Sequence, residues 1–282
     1  MNIRQLLRFK AFGLALLVIL GSALPASARE HREQDSTLFA MGQKGAVLLA
    51  IDVENRTTTA IGQTGSPVQS LALAITPDGT AAYTIAKAQS ASEAQLAKID
   101  LATGATTPVG QPLRNSFHYP LPDGLYVMGM TFSPDGVLYA AGDFTTTSDT
   151  FNSLYTIDLT TGLATRVGPF GVGTSKSAFI MSFSFDPEGD MYGASMMSLY
   201  KIDRETGAAT MVVDFAGAVT TPSKVMGIAF DRDGNLYVAD FLPTDSRIYA
   251  VDVETGQLTT LLTAGPFVHN ISFKPANKWE RK

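Results

Sequence analysis

The chain has no cysteine among its 282 residues. Thiol catalysis, disulfide exchange and Cys-ligated zinc are therefore excluded, and the fold stands without covalent staples. Histidine is scarce, with copies only at 31, 118 and 269. There is no G-x-S-x-G nucleophile elbow, no H-E-x-x-H pair and no G-x-x-x-x-G-K phosphate loop. Gly168-Pro169-Phe170-Gly171-Val172-Gly173 is glycine-rich but joins two strand-rich units rather than a strand and a helix, which argues against dinucleotide binding. Charged residues make up 17% of the chain, and the net charge is −5 at pH 7. With no basic cluster beyond the first residues, nucleic acid and anionic membrane surfaces are poor partners.

Long apolar runs are missing too, with one exception. Ala11 to Leu20 follows Arg4, Arg8 and Lys10 and precedes Pro25-Ala26-Ser27-Ala28. A positive start, a short apolar run and small residues at an A-x-A site predict a signal peptide over 1–28, removed to leave a secreted or periplasmic chain. No Cys follows the run, so lipidation at a cysteine is excluded. No later segment is long and apolar enough to span a bilayer.

What the chain does have is a repeat. Glycine (25) and proline (14) are plentiful, and 45% of residues are hydrophobic. One recurring motif is an apolar strand ending in a turn: Ile75-Thr76-Pro77-Asp78-Gly79, Phe132-Ser133-Pro134-Asp135-Gly136, Phe185-Asp186-Pro187-Glu188-Gly189 and Phe230-Asp231-Arg232-Asp233-Gly234. A Tyr-containing strand such as Val137-Leu138-Tyr139-Ala140-Ala141 comes next. The second motif ends a strand in Ile-Asp or Val-Asp before a Thr-Gly turn, at 99–104, 157–162, 202–207 and 251–256. A weaker copy, Ile51-Asp52-Val53-Glu54-Asn55-Arg56, lacks the glycine. Asp accepts hydrogen bonds from turn amides and Gly takes the left-handed position, so these aspartates read as structural rather than as a carboxylate array.

Two hairpins per unit make a four-stranded sheet, repeated as in a propeller blade. The start supplies only strands two to four (Leu38–Met41, Val47–Ile51, Thr58–Ile61), and the end supplies a lone first strand from Asn270. The expectation is an all-β, single β-propeller of five four-stranded blades, one of them shared between the two ends. The expected organisation is a disordered start at 29–36, a propeller over 37–275 and a tail at 276–282.

The unit Gly234-Asn235-Leu236-Tyr237-Val238-Ala239-Asp240, followed by Arg247-Ile248-Tyr249, resembles blades of the NHL-repeat and SMP-30/strictosidine-synthase-like propellers. The resemblance implies the architecture and, in SMP-30-like lactonases, acidic and amide metal ligands around the channel. Here the corresponding positions are Met128-Gly129, Met181-Ser182 and Met226-Gly227, and Asn270 is the one candidate ligand. This departure weighs against a lactonase.

Candidate binding residues fall on the irregular loops between strands two and three and between blades. They are His118, Tyr119, Asp143, Phe144, Asp240 and Phe241, a mixture suited to a small molecule, carbohydrate or protein partner. Aligned first strands place Leu71, Met128, Met181, Met226 and His269 together near the channel mouth, beside Asn270. Thioether and imidazole groups can take Cu(I), although methionine more often fills a core. Asp143 and Asp240 suggest calcium less than loop orientation, with Arg247 pairing Asp240, because no run of alternating oxygen ligands is present. No cofactor is expected. The reading is a monomeric, non-catalytic binding module, and the alternative is a metal-assisted hydrolase or lactonase in the central cavity.

Overall fold

The computed structural model describes residues 37–65, 72–87, 94–115, 127–142, 152–172, 179–215 and 224–274. The expected leader, the start at 29–36 and the tail at 276–282 lie outside the described residues. Blade I holds β4 (Ala74–Ile75), β5 (Ala82–Lys87), β6 (Ala94–Ile99) and β7 (Thr106–Pro112). Blade II holds β9 (Val127–Phe132), β10 (Leu138–Gly142), β11 (Ser153–Ile157) and β12 (Leu163–Pro169), with a short β8 (Arg114–Asn115) parallel to its outer strand. Blade III runs β13 (Ser182–Phe185), β14 (Met191–Ala194), β15 (Ser198–Ile202) and β16 (Ala209–Asp214). Blade IV runs β17 (Val225–Phe230), β18 (Leu236–Asp240), β19 (Ser246–Val251) and β20 (Leu258–Gly265).

Blade V is built from both ends of the described chain. Its strand order is β21 (His269–Phe273), β1 (Thr37–Gly42), β2 (Val47–Asp52) and β3 (Thr57–Gln63). β21 lies antiparallel to β1, with Leu38 opposite Phe273 and Ala40 opposite Ile271. The five-bladed ring with a shared blade is thus observed, and its innermost strands follow one another around it.

The core is divided among the spaces between blades. Separate apolar clusters fill the I/II, II/III, III/IV, IV/V and V/I interfaces. The Tyr of one blade's second strand packs on the Phe of the next blade's first strand. The pairs are Tyr83–Phe132 (5.6 Å), Tyr139–Phe185 (6.2 Å), Tyr192–Phe230 (5.1 Å) and Tyr237–Phe273 (5.3 Å). At the fifth interface Phe39 and Ile75 take those places in one apolar cluster. The repeated Tyr and Phe therefore join neighbouring blades, and tilted aromatic pairs add to the area they bury.

The repeated aspartates close their own turns. The Oδ1 atoms of Asp52, Asp100, Asp158, Asp203 and Asp252 accept from backbone amides two residues on, at 2.8–3.0 Å. Hydrogen bonds from the turn, led by the Thr161 and Glu205 amides, hold the carboxyls of Asp158 and Asp203 below the usual range. The following glycine does two jobs. Gly207 has φ +79, and a Cβ there would lie 2.6 Å from the Gly168 carbonyl oxygen of the preceding blade. In the copy without glycine, Arg56 itself adopts φ +56, and the Asn55 side-chain amide donates to Asp52 Oδ2 at 2.7 Å.

Gly207→Ala combines a disfavoured φ with a backbone collision between blades, so it should lower unfolding stability by about 2–3 kcal/mol. Urea denaturation followed by far-UV circular dichroism measures this. Ala208→Gly, at an exposed neighbouring position, should cost under about 1 kcal/mol.

Candidate binding site on the loop face

The described tight turns between strands one and two and between strands three and four lie on one face, and residues 43–46, 241–245 and 266–268 lie on the opposite face, where the inner strands begin. Around the channel these strands present Ala72, Gly129, Ser182, Gly227 and Asn270 at matching sequence positions. Four of the five are small because the strands come close together. A Cβ on Gly129 would sit 2.8 Å from the Met181 carbonyl oxygen, and one on Gly227 would sit 3.1 Å from the Ile271 amide nitrogen.

Asn270 fills the space that the small residues leave. It is 1% exposed. Its Nδ2 donates to the Met128 carbonyl at 2.8 Å, and its Oδ1 accepts from Ser182 Oγ at 3.0 Å. Ser182 Oγ in turn accepts from the Ile228 amide at 3.1 Å. One side chain from blade V thereby ties together blades II, III and IV across the centre. Buried polar groups joined in this way stiffen a core, and an unpaired one would cost about 1–3 kcal/mol.

His269 lies directly above in sequence and is 4% exposed. Its Nδ1 accepts from the Asn270 backbone amide at 3.0 Å. That assigns the proton of the neutral ring to Nε2, which has no partner among the described residues. Burial pushes the imidazole pKa down to about 3. The ring stands nearly perpendicular to Phe241, at 5.7 Å and 80°. Phe241 packs on Phe267 at 5.2 Å, and the Lys44 ammonium sits 4.5 Å over the Phe267 ring.

Backbone strain concentrates here. Gln43, Lys44, Phe267 and Asn270 have φ of +50, +58, +52 and +24. Hydrogen bonds between loops hold them: the Gln43 amide to the Pro266 carbonyl at 3.0 Å, and the Phe267 amide to the Leu242 carbonyl at 2.7 Å. A left-handed phenylalanine is costly, and such residues cluster where function requires a fixed shape. Asp240 anchors the loop beneath. It is fully buried, its Oδ1 accepts from the Arg247 amide at 2.6 Å, and its Oδ2 accepts from the Tyr249 hydroxyl at 2.7 Å. The Arg247 guanidinium lies 3.5 Å from Oδ2. Burial raises the Asp240 pKa against those three stabilising contacts.

No protein-family model and no curated protein matches the chain. Solved structures do resemble it. A symmetrical protein whose de novo evolutionary emergence is shaped by folding constraints shares 18% identity, with TM-score 0.51, over 85% of this chain and 99% of that one. A gluconolactonase from Xanthomonas campestris shares 12% identity, with TM-score 0.45, over 84% and 80% of the two chains. The calcium-binding protein regucalcin from Agrobacterium tumefaciens shares 17%, with TM-score 0.45, over 85% and 75%. At such identities the likeness is one of fold alone.

The sequence-derived residues divide three ways. Asp240, Phe241, His269 and Asn270 come together on blades IV and V. His118, Tyr119, Asp143, Phe144 and Leu71 lie outside the described residues. The expected ring of Met128, Met181, Met226 and His269 needs correction. Met128 and Met226 are half-buried bulge residues left out of their ladders, because Gly129 pairs with Ala141 and Gly227 with Ala239. In blade V the bulge is Asn270, and His269 is paired opposite Met41. Met181 is buried at 2% exposure. The strands are homologous in sequence but shifted at the bulge, because Asn270 turns left-handed to reach across the channel. Among the described residues, no three of His, Asp and Glu gather as metal ligands. Lys44 and Phe267 went unnoticed in the sequence, since only their backbone conformation and the closed ring bring them to Phe241.

The unfolded chain protonates His269 near 6.5 and the folded chain only near 3, so the unfolded state binds more protons between those values. Stability should therefore be fully present above about pH 6.5 and fall by a few kcal/mol as the pH drops toward 4. Asp240 acts oppositely, because its raised pKa favours the folded state as it takes up a proton. Comparing denaturant unfolding of the native chain and His269→Asn across pH 4–7.5 cancels that contribution. The variant keeps an acceptor for the Asn270 amide and should show the shallower slope; equal slopes would contradict the assignment.

Proposed function

We propose that this chain is an exported β-propeller that recognises a small molecule, carbohydrate or partner protein through its loop face, without catalysing a reaction. The observation that carries this reading is the contrast between centre and rim. At the centre, the polar groups of Asn270 and Ser182 are spent on one another and on backbone, among small residues. At the rim, half-buried Phe241 packs on half-buried Phe267, whose backbone is left-handed and whose ring lies under the Lys44 ammonium. Aromatic surface fixed in shape, with a few polar groups beside it, suits recognition. Export is read from the leader at 1–28, and among the described residues no helix is long and apolar enough to cross a membrane.

The reading is tested by screening the chain without residues 1–28 against a mixed library of metabolites, oligosaccharides and lactones, scoring both thermal shift and consumption. At a hundredfold excess over the dissociation constant, a ligand should raise the melting temperature by about 5 °C and remain unchanged. The shift should vanish in Phe241→Ala/Phe267→Ala and persist in Asp100→Asn on the opposite face. Turnover of a lactone, or a shift indifferent to the two phenylalanines, would contradict it.

A further inference from the structure

Among the described residues, the loop face around Phe241 differs in charge from the hairpin-turn face. The hairpin-turn face carries Asp52, Asp100, Asp158, Asp203 and Asp252 together with Asp78, Asp135, Asp186 and Asp231. Beside the aromatic patch stand Lys44, Lys224 and Arg247 instead, and the Lys224 carbonyl accepts from the Phe241 amide at 3.1 Å. Of the nearby acids, Asp240 is buried and committed to Arg247 and Tyr249, leaving Asp245 exposed. Neither Lys44 nor Lys224 forms an ion pair among the described residues.

The patch also contains an unspent donor. His269 is more than nine-tenths buried, its Nδ1 is occupied by the Asn270 amide, and its Nε2–H has no partner among the described residues. Nε2–H does not belong to the fully buried unpartnered atoms; it is the edge of the ring that solvent reaches, and a ligand oxygen can accept from it there. A metal ion would not, because both ring nitrogens are already committed, one as acceptor and one as N–H. A cationic ligand would meet Lys44 and a ring that offers no lone pair. A sugar would ask for several polar partners, whereas this patch supplies one donor and two phenyl faces.

We infer that the loop face of blades IV and V binds a small organic anion, a carboxylate on a flat apolar body. A carboxylate oxygen accepts from His269 Nε2–H, the charge faces Lys44, and the body lies along Phe241 and Phe267. This rests on the binding reading above and assigns that site its ligand class. With the imidazole neutral and Asp240 paired with Arg247, Lys44 and Lys224 outnumber the exposed Asp245, which favours an anion over a neutral analogue. The tilted rings, 52° apart, offer faces and edges to an aryl group.

The probes are 3-phenylpropionate, its neutral amide 3-phenylpropanamide and the cation 3-phenylpropylamine. Each is titrated into the chain without residues 1–28 by calorimetry at low ionic strength and by NMR of the histidine ring nitrogens. The His269 signal is assigned by its loss in His269→Asn or, if that variant does not fold, by its ring-current response to Phe241→Leu. The carboxylate should bind, shift the His269 Nε2 resonance, and do so about tenfold more tightly than the amide, a difference of about 1.4 kcal/mol. Lys44→Gln, at an exposed position, should bring the carboxylate down to the level of the amide, and added salt should do the same in part. Equal binding of the amine, an unchanged affinity in Lys44→Gln, or a His269 signal that ignores millimolar carboxylate would overturn the inference. If the library yields another ligand lost with Phe241 and Phe267 while phenylpropionate stays silent, the ligand class is wrong and the binding reading stands. If neither binds, both fall.

Discussion

The ladder between β21 and β1 is the contact on which everything else rests. It joins residues 38 and 273 across nearly the whole described chain, so stacking of the intervening blades, which brings its two strands together, lowers its loop-closure cost. Once formed, it pairs two exposed sheet edges and completes the apolar cluster between blades IV and V with Ile271 and Phe273. It also delivers His269 and Asn270 to the centre. Without that strand, the Met128 carbonyl and the Ser182 hydroxyl would lose the side chain that joins them, and Tyr237 would lose Phe273. The closure of the ring and the construction of its candidate site are one event.

The division of labour between faces follows from the same geometry. On the hairpin-turn side each Asp binds its own backbone, and each Thr-Gly turn packs tightly on the outer strand of the blade before it. Those carboxylates are numerous because the turn recurs, which is why an acidic ring there reflects folding rather than chemistry. On the opposite side no such rule applies. Among the described residues, blades IV and V are the ones that combine aromatic rings, left-handed residues and a buried imidazole.

The architecture was legible in the sequence because it is written five times. Tyr139 and Phe132 could be placed on adjacent strands from the Pro-Asp-Gly turn between them, and the unmatched ends declared the shared blade. Asp240 could be read as a loop anchor from its place after a strand and before Arg247. What pairs across blades was less accessible: that Tyr237 meets Phe273 rather than a neighbour in its own sheet depends on closure. The site was least legible. Aligning His269 with Met128 and Met226 assumed that equal sequence spacing gives equal position. A one-residue bulge at Asn270 breaks that equality. Lys44 and Phe267 lie in unremarkable sequence, and a positive φ at a lysine or phenylalanine leaves no compositional trace. Only the three-dimensional meeting of residues 43–45 with 265–269 reveals them.

The claim that the terminal strand locks the ring can be examined by deleting residues 266–282 and following thermal unfolding of the remaining chain by circular dichroism and calorimetry. The account predicts loss of the single cooperative transition, or a melting temperature lower by well over about 10 °C, because one blade loses its inner strand and the apolar interface between blades IV and V opens. A truncated chain that melts in one transition at the native temperature would show that the ring stands without β21, and the account would be wrong.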